Sequence, residues 1–261
     1  MRYFLQLSYC GAPFHGWQIQ PNAISVQETI ENGLSTLLRK KTSLTGAGRT
    51  DSGVNARMMF AHFDCEKPIV DTTKFLLSIN RIIGKDITIE HLIPVVSDAH
   101  ARFDATSRTY KYFIGFKKNP FLKNLFWLAP NSLDCDSMNI AAQMLIQTTD
   151  FTSFAKLHSD VKTNICNVRE AVWRKIKDDK AASDFIGLLD DGIVFTITAD
   201  RFLRNMVRAV VGTMIEVGRK KISIDDFQKI INAKDRCEAG TSMPPEALYL
   251  WEVEYPSSIF Q

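Results

Sequence analysis

Apolar and polar residues alternate along 2–9 (Arg-Tyr-Phe-Leu-Gln-Leu-Ser-Tyr), which predicts a strand. Behind Ser25 the period lengthens: Val26, Ile30, Leu34, Leu37 and Leu38 form one helical stripe, and Ser25 with Glu28 has the spacing of a capping box. Strand-like runs follow near 43–47, 58–65 and 86–95, with a helix at 72–83. A second set opens with a strand at 107–116 and continues with a helix near 136–147 and strand-like runs near 166–177, 183–189 and 193–199. Residues 201–217 read as one helix. Phe202, Met206, Val210, Met214 and Val217 fill one side, and Arg201, Arg204 and Arg208 share a narrow arc on the other. Asp200 is the expected N-cap of that helix, and Gly218 with Arg219, Lys220 and Lys221 its expected stop. Ser223 opens another helix, and 247–255 is a final strand.

This order of elements predicts an α+β protein of two subdomains, 1–104 and 105–261, with antiparallel or mixed sheets. They meet near 102–106 without a Pro/Gly/Ser-rich linker, and a cleft between them is the expected site. Composition narrows the class. With 261 residues, 45% hydrophobic and 23% charged, the chain buries a core without needing a metal or disulfide, and it is neither disordered nor collagen-like. Cys10, Cys65, Cys135, Cys166 and Cys237 are dispersed and odd in number, with no C-x-x-C pair, so a reducing cytoplasm is expected and a zinc site is not. The five histidines (His15, His62, His91, His100, His158) show no ligand spacing. The N-terminus alternates, and the most apolar stretch, 207–217, contains Arg208 and Glu216; neither a signal peptide nor a membrane span is expected.

The net charge of +3 names no partner, so what matters is where the charge sits. Residues 101–123 carry six basic residues (Arg102, Arg108, Lys111, Lys117, Lys118, Lys123) against the single acid Asp104, interleaved with Phe103, Tyr110, Tyr112, Phe113, Phe116 and Phe121. Cations for phosphates and rings for unstacked bases suit RNA; a solvated amphipathic strand is the alternative. Arg39-Lys40-Lys41 at a helix end is most simply complementary to the helix dipole. In Gly46-Ala47-Gly48-Arg49-Thr50-Asp51-Ser52-Gly53-Val54-Asn55 the glycines suggest a phosphate loop. A Rossmann fingerprint needs glycine at Asp51, however, and a Walker A loop needs Lys-Ser/Thr at Val54-Asn55. A tight turn with a structural Asp is the alternative.

Several motifs in order carry a resemblance: Tyr9-x-Gly11-x-x-Phe14-x-Gly16-Trp17-Gln18-x-Gln20-Pro21; Gly48-Arg49-Thr50-Asp51-Ser52-Gly53-Val54; Ala101-Arg102-Phe103-Asp104-Ala105 with Arg108-Thr109-Tyr110-Lys111-Tyr112; Asp150-Phe151-Thr152-Ser153-Phe154; Phe202-Leu203-x-x-Met206-Val207-Arg208; and Leu248-Tyr249-Leu250. Together they resemble the tRNA pseudouridine synthase A family. The resemblance implies the pseudouridine synthase fold with a basic central cleft. It also implies isomerisation of uridines 38, 39 and 40 in the tRNA anticodon stem-loop, no metal or organic cofactor, and a homodimer that contacts one tRNA with both subunits. It implies Asp51 as the nucleophilic or basic carboxylate, Arg208 as its guanidinium partner and Tyr110 as the aromatic against the target base. The RNA-contacting set it suggests, together with the charge pattern, is Arg49, Asn55, Phe14, Trp17, Arg102, Arg108, Lys111, Arg201 and Arg204. Phe14 and Trp17 stand open between core anchors and stacking groups. The chain departs from the family in having Asn55 where His is usual and Ala247 where Gly is usual. Two competitors are an aspartyl hydrolase, for which no second carboxylate lies near Asp51 in sequence, and a non-catalytic RNA-binding module of the same fold.

Overall fold

The computed structural model describes residues 1–156, 162–189 and 191–261. Its order is β1 (Arg2–Tyr9), α1 (Val26–Leu38), β2 (Thr45–Gly46), β3 (Asn55–Asp64), α2 (Thr72–Ile83), β4 (Ile87–Val95), β5 (Ser107–Gly115), β6 (Trp127–Leu128), α3 (Cys135–Gln147), β7 (Val168–Lys175), α4 (Lys180–Phe185), β8 (Gly192–Ala199), α5 (Met206–Gly218), α6 (Ile224–Ala233) and β9 (Leu248–Glu254). This is the mixed α+β class. Two compact units divide the chain: Met1–Arg108 with Leu250–Gln261, and Thr109–Tyr249.

In the first unit the strands run β4-β1-β3-β9, with β2 beside β3. β1 is antiparallel to both neighbours, and its pairing with β3 sets Leu5 against Ala61 and Tyr9 against Ala56 after an irregularity at Leu7/Tyr9. Phe4, Leu5, Leu7, Met59 and Phe63 of the sheet and Ile30, Leu34 and Ile79 of α1 and α2 are fully or almost fully buried. Both helices start on side-chain caps: Ser25 Oγ accepts the Glu28 N–H (3.2 Å) and Asp71 the Lys74 N–H (2.8 Å), each worth about 1 kcal/mol. At the end of α1 Arg39 turns left-handed (φ 53°), and Lys40 pairs with Glu66, so that basic run has a local partner as well as the dipole.

In the second unit β8 lies between β5 and β7, and the short β6 runs parallel to β5. α3 packs on β7, where the Asn139 amide holds both backbone groups of Trp173 (2.8 and 3.1 Å). The Trp173 ring stacks on Phe195 (4.9 Å) and its N–H reaches Met214 of α5 (3.5 Å).

Two expected elements come out differently. The run 183–189 is not a strand. Asp179 caps α4 by accepting the Ala182 N–H (3.0 Å), and with Ala181 and Ala182 in the first turn the helix wins over the short alternation. The helix expected from 201 begins only at Met206. Asn205 is left-handed (φ 66°), and the Asp200 carboxylate accepts the N–H groups of Asn167 (2.8 Å) and Arg201 (2.7 Å), so it is occupied in a turn and caps no helix. Arg201 and Arg204 therefore lie outside α5 and share no helical face with Arg208.

His62 on β3 accepts the Ala101 N–H at Nδ1 (3.1 Å) within the core. Burial, then the nearby Arg2 guanidinium, lower its pKa to about 4. The folded state thus binds its proton later than the unfolded chain, so stability is complete above about pH 6.5 and falls as pH drops toward 4, by at most about 3 kcal/mol. His62→Asn, which keeps an acceptor in place, should remove that part of the slope when melting temperatures of variant and parent are compared from pH 7 to 4.

Candidate functional site

Antiparallel pairing dictates the surroundings of Asp51. Because Tyr9 at the end of β1 lies opposite Ala56 near the start of β3, the loop leaving β1 meets the loop entering β3. The entering loop follows β2: Ala47 N–H donates to Phe60 O (2.8 Å), then Gly48–Val54 turn back, closed by Val54 N–H on Asp51 O (3.2 Å) with Gly53 at φ 78°. The leaving loop supplies what this turn lacks. Gly53 N–H and Ser52 Oγ donate to Phe14 O (both 3.3 Å), Trp17 N–H donates to Thr50 O (3.3 Å), and the Tyr9 and Thr50 hydroxyls are bonded at 2.9 Å in the interior. Asp51 is half-buried in this frame and Arg49 is exposed.

The two loops touch backbone to backbone. A Cβ at Gly11 would stand 2.2 Å from Val54 O, and one at Gly16, itself at φ +91°, 2.5 Å from Thr50 O. Neither oxygen belongs to a side chain that can swing away. The question left open for Phe14 and Trp17 is thereby answered. They are 7% and 3% exposed and serve as core anchors under the loop, which corrects their expected stacking on RNA. Asn55 is corrected likewise: it is buried, and its Oδ1 accepts the Gly11 N–H (2.7 Å), so the departure from His fixes the cradle and does not face RNA.

Arg108 also works inward. Its guanidinium donates to the carbonyls of Ala105 (2.8 Å), Arg102 (2.6 Å) and Ala47 (3.2 Å), tying the turn at 102–105 to the strand that leads into the Asp51 loop. Arg102 is exposed.

In the second unit Tyr110 of β5 is half-buried and meets Phe202 edge to face (5.0 Å, 82°). Arg208 is the third residue of α5, a helix buried at every other position but Glu216. Its Nε donates to Met243 O (2.6 Å) and its backbone carbonyl accepts Met243 N–H (3.1 Å). Ser242 beside it accepts from the Asn205 amide (2.6 Å) and from Arg236 (2.8 Å), and the Tyr112 hydroxyl donates to Pro244 O (3.1 Å). Segment 242–244 is thus a strap that fixes the orientation of the Arg208 side chain. Burial raises the Tyr112 hydroxyl pKa, and Glu246 adds to it, so it stays a proton donor at all working pH.

Lys111 is corrected as an RNA contact: it is 4% exposed and paired with Asp179. Burial opposes ionisation of Asp179, but the Lys111 ammonium and the Ala182 N–H outweigh it and hold the carboxyl below its usual range. Removing either partner would strand a buried charge, at about 3–5 kcal/mol. Arg201 is half-buried; Arg204 is exposed, its carbonyl accepting Lys156 N–H (3.1 Å). Ala247 is fully buried. All five cysteines are free thiols. Among the described residues no cluster of three or more His, Cys, Asp or Glu is placed to hold a metal, and no helix is long and apolar enough to cross a membrane. His158 lies outside the described residues.

The groups that support the site are not legible in the sequence. Tyr9 and Gly11 stand in the opening motif, where spacing gives no hint that they touch Thr50 and Asn55. Nothing local joins Asn205 to Ser242, which lie 37 residues apart.

Residues 141–256 match a family of proteins described as tRNA pseudouridine synthase. Similarity to individual proteins extends over the whole chain. A protein from Parabacteroides distasonis is 51% identical over 259 residues, covering 99% of this chain and 98% of its own, and one from Bacteroides fragilis is 52% identical over 260 residues, covering 100% and 98%. A more distant relative from Exiguobacterium sibiricum is 32% identical over 259 residues, covering 98% of each. All three are named tRNA pseudouridine synthase A, and this chain belongs to that family.

Gly16→Ala should destabilise the first unit by about 2 kcal/mol or more, from strain at positive φ added to overlap with Thr50 O. Gly48→Ala, whose new methyl would meet nothing within 4 Å, should melt within about 0.5 kcal/mol of the parent in urea titration.

Proposed function

We propose that this protein isomerises uridine to pseudouridine in tRNA, at uridines 38, 39 and 40 of the anticodon stem-loop, with Asp51, Arg208 and Tyr110 as its catalytic residues. The observation that carries this reading is full-length identity of about one half to relatives named tRNA pseudouridine synthase A. In the reaction the C1′–N1 bond breaks, a C1′–C5 bond forms, the C5 proton leaves and N1 gains a proton, so nothing is added or lost overall. An ionised carboxylate serves each route open to this exchange: attack at C6, attack at C1′, or removal of a sugar proton. Asp51 supplies it from a turn locked on both flanks, the preorganisation that a reacting group needs. The Arg208 guanidinium offsets the cost of keeping a carboxylate charged in a pocket with its base taken out of the stack. Tyr110 presents its ring to that base and its hydroxyl to the C5 proton.

The proposal carries the family's other features with it. The enzyme works in the cytoplasm, in line with its free thiols, and as a homodimer. Its phosphate contacts come from Arg49, Arg102, Arg201 and Arg204.

The reaction is tested by tritium release from C5-labelled uridine in unmodified tRNA, without added metal or cofactor. Wild type should release label, and Asp51→Ala should release none while binding tRNA. No release by folded wild type that binds tRNA would instead establish a non-catalytic RNA-binding module. Arg208→Lys should lower turnover at least tenfold with little change in tRNA affinity, because an ammonium has no Nε to bond Met243 O and no planar fork. Unchanged turnover would remove Arg208 from the mechanism.

A further inference from the structure

The turn 100–105 of the first unit holds the ring of Phe103 in solvent, 73% exposed, on a backbone with almost no freedom. His100 Nδ1 accepts the N–H groups of Arg102 (3.1 Å) and Phe103 (3.3 Å), and the Asp104 carboxylate accepts the His100 N–H (2.7 Å). Ala101 donates to His62 (3.1 Å) and accepts from the Tyr255 hydroxyl (2.6 Å), while Arg108 holds the carbonyls of Arg102 and Ala105. The His100 ring backs Phe103 at 4.3 Å, and the Arg102 guanidinium stands 5.6 Å from the Phe103 centroid. The turn's one acid, Asp104, is engaged within it. A solitary exposed Phe on a loose loop needs no explanation, but this ring is fixed, backed and flanked by a cation.

We propose that Phe103 is a stacking platform for an unpaired nucleobase of the tRNA, with Arg102 on the adjoining phosphate. The proposal rests on the reading of the protein as a tRNA-modifying enzyme. Ring and cation together fit the two things every nucleotide carries, a π-face and an anion, whereas an apolar protein surface would be met by a wider apolar patch. A prefixed ring also loses little freedom when a base stacks on it. Through Arg108 the platform is tied to Ala47, two residues before Arg49, so the stacked base is held in register with the Asp51 loop.

The test is binding of an unmodified tRNA transcript by the full chain. Phe103→Ala and Phe103→Leu should each weaken binding by about tenfold or more, the loss of one base–ring stack. Phe103→Trp should bind like wild type, with its indole fluorescence quenched by tRNA. Phe103→Ala should leave the salt dependence of binding unchanged, while Arg102→Ala should lower its slope by about one. Since the ring is exposed, melting of these variants should match the parent. Wild-type affinity in Phe103→Leu would overturn the platform. So would a change of sedimentation mass in Phe103→Ala with tRNA affinity intact, which would make a second copy of the chain the occupant. Tritium release is read separately: its absence from wild type, with this binding pattern intact, would remove the catalysis and leave the platform standing.

Discussion

A side chain at Gly11 or Gly16 has nowhere to go, and the geometry around Asp51 follows from that prohibition. The antiparallel pairing of β1 with β3 brings the exit of one strand to the entrance of the other, so two irregular loops must share the same space. Each leaves backbone groups without ladder partners, and burying them unbonded would cost about 1–3 kcal/mol apiece. Direct bonds between the loops satisfy them, which requires main chains in contact and hence glycine on one side. The cradle that holds the carboxylate is therefore a product of sheet register, and the aromatic residues beneath it are its foundation.

The second unit uses the opposite device. α5 is apolar on nearly every side, so its position is set by the core, and its one half-buried cation near the N-terminus is aimed by a separate segment. Met243 bonds both the backbone and the side chain of Arg208, making strap and helix turn one piece. Asn205, with its left-handed backbone, gives its amide to Ser242 and leaves its own helix without a side-chain cap. A helix start would ordinarily gain about 1 kcal/mol from such a cap, so the preference here is for holding the strap.

What the chain discloses in advance follows from how local each signal is. Strands and helices with one buried face, such as residues 2–9, 26–38 and 72–83, are written in their own periods, and a serine or aspartate before a stripe marks the start. The start of α5 is not so written. Arg201, Phe202 and Arg204 keep helical phase by spacing alone, and only the tertiary bonds of Asp200 and Asn205 reveal a turn. The Asp51 loop is legible as a motif because glycines and an acid are dense there. Its chemistry is legible only through resemblance, since a turn with a structural aspartate has the same composition. Whether Phe14 and Trp17 face the core or a ligand depends on which loop lies opposite, which no window of sequence contains.

Charge shows the same limit most clearly. Counting the six basic residues of 101–123 as one RNA-facing surface treats them as equivalent, and the fold does not. Lys111 neutralises a buried aspartate, Arg108 replaces missing turn bonds, and Lys117 lies 3.4 Å from Asp191 in an exposed pair worth at most about 1 kcal/mol. Arg102, Lys118 and Lys123 are exposed. A half-buried arginine can bond three carbonyls at once because its fork offers five donors, so a guanidinium in a basic segment is no sign of a phosphate until its donors have been followed. An exposed ring held rigid beside an exposed cation is the stronger indicator, because internal packing does not require that arrangement.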